Sequence, residues 1–155
     1  MNTITLELLD ALLNPSEGRS GEEHFSSIIL PSRVHGLFSL LINTISPQDA
    51  PRSMLACVLL RRDISSLGVY TFAQGHEDQA ADIVSMLGGM VDPLLNILGQ
   101  NAHTSRLIGF VIAEVCAALS LMDTNKALMA VNNIIKIVES SVRQHGFGYC
   151  IIAFS

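Results

Sequence analysis

The stretch from Leu107 to Leu119 repeats apolar residues at intervals of three and four for about three and a half helical turns. This spacing places the apolar side chains on one face of an α-helix, whereas a strand would alternate with a period of two. The opposite side carries the small residues Gly109, Ala113 and Ala117, with Ala118. Small residues let a second helix approach closely. The pattern therefore predicts a central helix. Its apolar face is Leu107, Ile108, Val111, Ile112, Val115, Cys116 and Leu119.

Similar periodicity recurs along most of the chain. Asn14-Pro15 ends the first segment, because the residue before a proline resists the α conformation. Ser20 and Glu23 have the spacing of a capping box and predict the start of the second helix. The segment Gly68–Gln79 loses the periodicity and is predicted to be a loop between helices. The further predicted helices are Ile4–Leu13, Ser20–Leu30, Ser32–Ile45, Asp49–Ser66, Ala80–Met90, Pro93–Leu98 and Thr124–Val142.

Two of these helices have apolar sectors that predict core positions. The first is the run MLACVLLRRD, in which Met54, Leu55, Val58 and Leu59 form one stripe, and Leu60, Ile64 and Leu67 form a second. Val58 and Leu59 are assigned to the core, because a sector this wide needs neighbours on two sides. The last predicted helix aligns Leu128, Val131, Ile135, Val138 and Val142 as its inward face. The remaining residues, 143–155, have no clear period and are predicted to form a short apolar tail.

Composition favours an all-α fold. Hydrophobic residues make up 49% of the chain and aromatic residues only 5%, with no Trp, which is typical of helices packed on helices. The net charge is −5 and the Lys and Arg residues are scattered, which argues against a nucleic-acid partner. Leu107–Met122 is shorter than a bilayer requires and contains Glu114, so no membrane insertion is expected. Glu7 and Asp10 near the start argue against a secretory signal.

No motif for catalysis, metal binding or a cofactor is present in the sequence. The five histidines never pair at helical spacing, and the cysteines Cys57, Cys116 and Cys150 form no CxxC pair. Cys57 and Cys116 have apolar neighbours and are predicted to be buried free thiols, which indicates a reducing compartment. Gly88-Gly89 and Gly146-Phe147-Gly148 lack the Lys and Ser/Thr of a phosphate-binding loop. The expectation is a non-enzymatic protein without metal or cofactor.

The spacing of three arginines suggests a repeat. Arg19, Arg52 and Arg106 stand early in their predicted helices and are separated by 33 and 54 residues. Their mean separation of about 43 to 44 lies within the roughly 40 to 47 residues of a HEAT repeat. The longer interval contains Gly68–Gln79, which is interpreted as an insertion. The prediction is an α-solenoid of three to four antiparallel helix pairs over residues 1–142.

Three local motifs resemble the N-terminal HEAT repeats of the importin-β, or karyopherin-β, nuclear transport receptors, in the branch that imports ribosomal proteins and histones. Leu8–Phe25, LLDALLNPSEGRSGEEHF, is similar to the opening helix, proline turn and acidic second helix of that family. Arg52–Arg62, RSMLACVLLRR, resembles the second B helix, and Ser105–Leu119, SRLIGFVIAEVCAAL, resembles the third. The resemblance covers Ile4–Val142, the length of three to four repeats. Gly21 and Gly36 depart from it, because they stand where helix formers are expected.

The resemblance implies binding of the small GTPase Ran, in its GTP form, to the inner face built from the B helices. Nucleoporins and basic cargo proteins are the further partners that it implies, with residence in both cytoplasm and nucleus. The candidate partner-binding residues on this basis are Glu22, Glu23, Arg52, Arg61, Arg62, Arg106 and Glu114.

Several alternatives stay open from sequence. Arg61-Arg62-Asp63 is either a partner surface or the solvated end of a helix, whose dipole favours cations. The chain is alternatively a generic HEAT or armadillo-type scaffold, or a truncated, diverged paralogue without transport activity. An α-helical enzyme would require Asp82, His103 and Glu114 to converge in one pocket. A repeat array of this length also leaves an apolar end face, which predicts oligomerisation or marginal stability.

Overall fold

A computed structural model describes residues 3–100 and 102–145, together with their side chains except those of residues 103 and 141–145. These residues form α-helices without any β-strand, so the predicted all-α class is confirmed. A π-helical turn, Val69–Ala73, and a 3₁₀ turn, Glu77–Gln79, lie between the fourth and fifth helices. The helices are α1 Leu6–Leu13, α2 Gly18–Ser27, α3 Leu30–Asn43, α4 Ala50–Ser65, α5 Ala80–Gly88, α6 Val91–Ile97, α7 Ala102–Met122 and α8 Thr124–His145.

Helix boundaries follow the capping residues. The Thr5 hydroxyl accepts a hydrogen bond from the Leu8 N–H at 3.2 Å and starts α1, and Asp49 accepts one from the Arg52 N–H at 3.4 Å and starts α4. The break predicted between the helices Ala80–Met90 and Pro93–Leu98 is present but lies earlier than predicted, because α5 ends at Gly88 and α6 begins at Val91. The predicted capping box in the second helix is wrong, since α2 begins at Gly18 and Ser20 lies inside it.

Close helix contacts explain the two unexpected glycines. A Cβ atom at Gly21 would lie 3.3 Å from the carbonyl carbon of Ala11, so α2 packs tightly on α1 at this point. A Cβ atom at Gly36 would lie 2.8 Å from Cγ1 and 2.9 Å from Cβ of Ile4. Both glycines are therefore sites where two segments approach closely, which a local helix preference does not reveal.

Replacing Gly36 with alanine is expected to lower the free energy of unfolding by about 1–3 kcal/mol, because the branched Ile4 side chain has to move. Gly18→Ala is the matched control, since nothing lies within 4 Å of a Cβ atom there. The control is expected to leave stability unchanged or raise it by up to about 1 kcal/mol. Urea unfolding followed by circular dichroism measures both changes, and equal stability of the two variants would contradict the close contact.

The centre of the molecule is α7, which contacts α4, α5, α6 and α8. Its predicted apolar face is largely buried, with Ile108, Val111, Ile112, Val115 and Leu119 in the core and Leu107 and Cys116 partly buried. The four small residues of α7 differ in burial, because Gly109 and Ala118 are buried whereas Ala113 and Ala117 are exposed. The other main contacts pair α1 with α2 and α3 with α4.

The two predicted apolar stripes of α4 differ in burial. Leu60, Ile64 and Leu67 are fully buried, as predicted. The assignment of Val58 to the core is wrong, because its side chain is 52% exposed, and Met54 is exposed as well. The sector that packs inward also holds Ala56 and Cys57, whose small side chains permit closer approach of neighbouring helices. Leu55 and Leu59 lie at the margin and are partly buried.

The predicted inward face of α8 is wrong at three of its positions, although Val138 is partly buried. Leu128, Val131 and Ile135 are 58%, 41% and 50% exposed. The inward positions are instead Ala127 and Ala130, joined by the partly buried Ile134 and Ile137. The helix continues to His145, beyond the predicted end at Val142. The side chain of Val142 and residues 146–155 of the predicted tail lie outside the described residues.

The segment Gly68–Gln79 contains helical turns, so its prediction as an irregular loop is wrong in part. The rings of Tyr70 and His76 stack at a centroid distance of 4.0 Å, and Nδ1 of His76 lies 3.0 Å from the Tyr70 carbonyl oxygen. The Tyr70 hydroxyl donates to Oε1 of Gln79 at 2.9 Å. Gly75 has a φ of +80°, a value that favours glycine, and allows the chain to reverse between the two turns. Short-range side-chain contacts thus organise the segment.

Two helical stretches, Glu77–Ile97 and Thr104–Met122, have the length and mean hydropathy of candidate membrane spans, with values of 1.2 and 1.7. The α2–α3 pair passes the same test only as one broken span with a bend of 117°. Here the second stretch packs within the core through α7. The expected absence of membrane insertion stays a prediction.

Candidate partner-binding site

Four residues at the surface contact between α4 and α7 form the most connected group of predicted site residues. Nε of Arg61 on α4 lies 3.7 Å from Oε1 of Glu114 on α7. The guanidinium of Arg61 also stands 4.6 Å from the ring centroid of Phe110, and that of Arg106 stands 5.7 Å from the same ring. Both distances suit a cation–π contact. The packing of α4 on α7 thus brings three of the predicted residues, Arg61, Arg106 and Glu114, around one aromatic ring.

The electrostatics of this group favour an acidic partner. The side chain of Arg61 is 49% exposed, and that of Glu114 is 28% exposed. Two guanidinium groups and one carboxylate leave a local excess of one positive charge on a chain whose net charge is −5. A small basic surface on an acidic protein steers a complementary acidic surface toward one orientation.

Apolar residues extend this group. Met54 and Val58 lie on the same side of α4 as Arg61, two and one helical turns before it, and both are exposed. We name the six residues Met54, Val58, Arg61, Arg106, Phe110 and Glu114 the α4–α7 face. Arg, Phe and Met are residue types that protein interfaces favour.

Arg52 is held by contacts within the chain. Its Nη2 lies 2.8 Å from Oδ2 of Asp10 on α1, and its Nη1 lies 3.4 Å from Oδ2 of Asp49. The hydrogen bond from Arg52 holds the pKa of Asp10 below its ordinary value. The pKa of Arg52 is raised by the same hydrogen bond. Arg52 therefore joins α1 to the start of α4 and is separate from the α4–α7 face.

Arg62 and Asp63 belong to a second network, on the other side of α4. Asp63 is 2% exposed and accepts hydrogen bonds from Nε and Nη2 of Arg33 on α3, at 3.1 and 3.4 Å. Arg33 also donates to the Ile28 carbonyl oxygen at 3.1 Å. Arg62 bonds to Asp63 at 3.4 Å. The interpretation of the Arg61-Arg62-Asp63 segment as a solvated helix end is therefore wrong for Asp63.

Phe25 of α2 closes this second network. The guanidinium groups of Arg33 and Arg62 stand 5.2 and 5.4 Å from its ring centroid. Because Phe25 is buried, the ring fixes both cations against the core. We name Phe25, Arg33, Arg62 and Asp63 the Asp63 network.

The two acidic candidates on α2 are both exposed. Oε1 of Glu23 is 3.5 Å from Nε of Arg19, and both side chains are largely in solvent. Glu22 is likewise exposed. A pair of this kind on one helix contributes little to stability.

A cavity of about 350 Å³ lies between the end of α3, the start of α4 and the start of α7. Its polar lining includes Asn43, Ser53 and Gln100, whereas Ile97 and Ile108 supply apolar surface. Within the part of the chain that the structure describes, no three His, Cys, Asp or Glu side chains are placed to hold a metal ion. The pocket of Asp82, His103 and Glu114 that an α-helical enzyme would require includes the side chain of His103, which lies outside the described residues.

Two cysteines are set in apolar surroundings. Burial raises the pKa of the Cys57 thiol from 9.0 to about 12, and burial also raises the pKa of Cys116. Both are free thiols, as predicted, but only Cys57 is buried and Cys116 is partly buried. Cys150 lies outside the described residues. A thiol that stays protonated is a poor nucleophile.

Alkylation by iodoacetamide at about pH 8 is expected to modify Cys57 at least 100-fold more slowly in the native protein than in urea. The native state holds the Cys57 proton more tightly than the unfolded chain, so the associated stability is present below pH 9.0 and is lost as the pH rises toward 12. Peptide mass spectrometry separates the modification of Cys57 from that of Cys116. Equal rates for Cys57 in buffer and in urea would contradict its burial.

Sequence reasoning missed Phe110 and Arg33. The contact of Phe110 with Arg106 could have been predicted from the sequence. Phe110 is the only aromatic residue in Leu107–Leu119 and follows Arg106 by four positions, on the same helix face. Arg33 gave no such signal, since its partner Asp63 is 30 residues away in the chain.

Comparison of the chain with protein-family models, with curated proteins and with solved structures finds no match.

Proposed function

We propose that the chain is a non-enzymatic protein-binding module of the helical-repeat type and that the α4–α7 face is its binding surface. In this proposal α1 and α2 form the first helix pair, α3 and α4 the second, and α5, α6 and α7 the third, with α8 beginning a fourth. The contacts within each pair, and those of α7 with both α4 and α8, support this arrangement. An array of helix pairs offers a long surface for a partner and needs no catalytic centre.

The observation that carries the proposal is the arrangement of Arg61, Arg106 and Glu114 around Phe110. Glu114 and the ring restrain the Arg61 side chain before a partner arrives. Restraint of a long side chain lowers the entropy that binding costs. The exposed Met54 and Val58 add apolar area beside the charges. This combination supports protein recognition through a charged centre with aliphatic surroundings.

The resemblance to karyopherin-β repeats makes Ran in its GTP form the partner to test first. Nucleoporins and basic cargo proteins are further partners under this proposal, with activity in both cytoplasm and nucleus. The excess positive charge of the α4–α7 face suits a partner that presents an acidic patch, and the negative charge of the whole chain suits basic cargo at another surface.

Isothermal titration calorimetry with Ran, loaded with a non-hydrolysable GTP analogue or with GDP, tests the proposal. Binding is expected to prefer the GTP form, and Arg61→Glu is expected to weaken it by about 30-fold, the effect of losing a central contact. Arg19→Glu is the matched control, because Arg19 is an exposed arginine on α2, outside the α4–α7 face. No preference for the GTP form would overturn the assignment of Ran.

A second candidate is a helical scaffold without a transport role. The observation in its favour is that Arg52 and Arg62, two of the predicted partner residues, are held by Asp10 and Asp63 within the chain. This candidate predicts no measurable Ran binding by a folded protein. Circular dichroism and thermal unfolding on the same sample establish that the fold is intact when binding is measured.

A further inference from the structure

Two arginines of the α4–α7 face have no hydrogen-bond acceptor among the described residues. Arg61 meets Glu114 only as an ion pair, since the 3.7 Å between Nε and Oε1 is longer than a hydrogen bond. Arg106 is exposed and lies against the ring of Phe110, and within the described part of the chain it has neither a hydrogen bond nor an ion pair. The N–H donors of both guanidinium groups are therefore available to a ligand.

Other arginines of the chain show what a paired guanidinium looks like here. Nε of Arg33 donates to Asp63 at 3.1 Å, and Nε of Arg52 donates to Asp10 at 2.8 Å. Arg62 also donates to Asp63, at 3.4 Å. Where an arginine joins two helices, the chain thus supplies a carboxylate within hydrogen-bond distance. The two arginines of the α4–α7 face lack such an acceptor, which favours an oxyanion from outside the chain.

The ring of Phe110 holds the two guanidinium groups near one point. Their carbon atoms lie 4.6 and 5.7 Å from the ring centroid, so they are at most about 10 Å apart. A phosphate that accepts hydrogen bonds from two guanidinium groups stands roughly 4 Å from each of their carbon atoms. A small rotation of the exposed Arg106 side chain brings both groups within that reach.

The charge of the face favours a ligand that carries more than one negative charge. Two guanidinium groups and the Glu114 carboxylate leave an excess of one positive charge, so the attraction grows with the charge of the anion. A phosphorylated side chain carries about −1.5 to −2 charges at pH 7 and has three acceptor oxygens. A carboxylate carries one charge, which Glu114 already supplies to Arg61.

The apolar part of the face favours a phosphorylated protein segment over a free phosphate ion. Met54 and Val58 are 45% and 52% exposed and lie two turns and one turn before Arg61 on α4. A peptide with its phosphate at the two arginines can lay a neighbouring apolar side chain on these residues. A free phosphate ion covers neither of them.

We infer that the α4–α7 face binds a phosphorylated side chain of a partner protein, with Arg61 and Arg106 donating to the phosphate oxygens. Met54 and Val58 contact the partner residues beside the phosphate. This inference rests on the proposed function, because it takes the α4–α7 face as the binding surface. Phosphorylation of the partner then decides whether it binds.

Fluorescence anisotropy with three labelled peptides tests this inference. The peptides share one leucine-containing sequence and differ only at the centre, which is phosphoserine, serine or glutamate. The phosphoserine peptide is expected to bind about 10-fold or more tightly than the other two, the effect of added charge-assisted hydrogen bonds. Inorganic phosphate is expected to compete only at concentrations at least about 10-fold above those of the unlabelled phosphopeptide, because it lacks the apolar contacts.

Four variants of the protein locate the phosphate. Arg61→Gln and Arg106→Gln are each expected to weaken phosphopeptide binding by about 10-fold. Glu114→Gln is expected to strengthen it by about 3-fold, because the opposing charge is removed. Arg19→Gln is the matched control and is expected to bind normally, since Arg19 is an exposed arginine outside the α4–α7 face. Circular dichroism checks that all four variants keep their helix content.

Equal affinity for the phosphoserine and serine peptides, or no binding of either, would overturn the inference. Normal phosphopeptide binding by both Arg61→Gln and Arg106→Gln would overturn it as well. Inorganic phosphate that competes as well as the phosphopeptide would overturn the assignment to a protein segment. Ran binding is measured separately with unphosphorylated Ran, so Ran binding that depends on Arg61, without any preference for phosphopeptide, would overturn this inference and leave the proposed function in place.

Discussion

Replacing Asp63 with alanine is expected to lower the free energy of unfolding by about 3–5 kcal/mol. The mostly buried guanidinium of Arg33 then loses the carboxylate that accepts its hydrogen bonds. The Asp63 carboxylate is 2% exposed and receives hydrogen bonds from both Arg33 and Arg62. It joins α3 to α4, and the ring of Phe25 brings α2 into the same network. Urea unfolding of the variant at neutral pH measures the loss.

Two controls separate the buried charge from ion pairing in general. Asp10→Ala removes the exposed partner of Arg52 and is expected to lower the free energy of unfolding far less than Asp63→Ala does. The double change Arg33→Met with Asp63→Leu replaces both charges by apolar side chains and is expected to recover most of the stability lost by Asp63→Ala. A single Asp63→Ala variant as stable as Asp10→Ala would show that the network contributes little.

Replacing Leu60 with alanine is expected to cost about 2–5 kcal/mol, because Leu60 is fully buried and the truncation leaves a cavity. Val58→Ala, two residues earlier on the same helix, is expected to change stability by about 0.5 kcal/mol or less. The comparison shows which of the two apolar stripes of α4 is buried, a difference that the sequence alone does not predict. Thermal unfolding and urea unfolding of both variants give the two free energies.

A large loss in Val58→Ala would mean that the exposed stripe of α4 is covered in solution. Leu60→Ala with near-normal stability would contradict its place in the core. Because both changes remove only aliphatic atoms, charge and hydrogen bonding play no part in the difference.

Helices were predictable from sequence because their apolar periodicity and breaking residues are local. Asn14-Pro15 ended α1 where expected, and the stripe of α7 was largely buried as predicted. Orientation was less predictable wherever a helix is apolar on more than one side. Leu60 and Val58 are equally apolar, and only the positions of α3 and α7 decide which one is buried.

The site was predictable as a set of residue types and not as an arrangement. Arg61, Arg106 and Glu114 were identified individually, but their grouping depends on the packing of α4 against α7. The same applies to Asp63, whose partner Arg33 lies on another helix. Long-range contacts of this kind carry no periodic signal in a single sequence. The closeness of Gly36 to Ile4 is hidden for the same reason.

The inward and outward faces of α8 differ by a shift of one residue. Ala127, Ala130 and Ile134 face the core, and Leu128, Val131 and Ile135 follow each of them directly in the chain. One residue corresponds to a rotation of about 100° about the helix axis. A helix with two apolar faces at this angle has the geometry of an internal helix that touches neighbours on two sides. By its own sequence, α8 is built to lie between two layers, of which the described residues supply one.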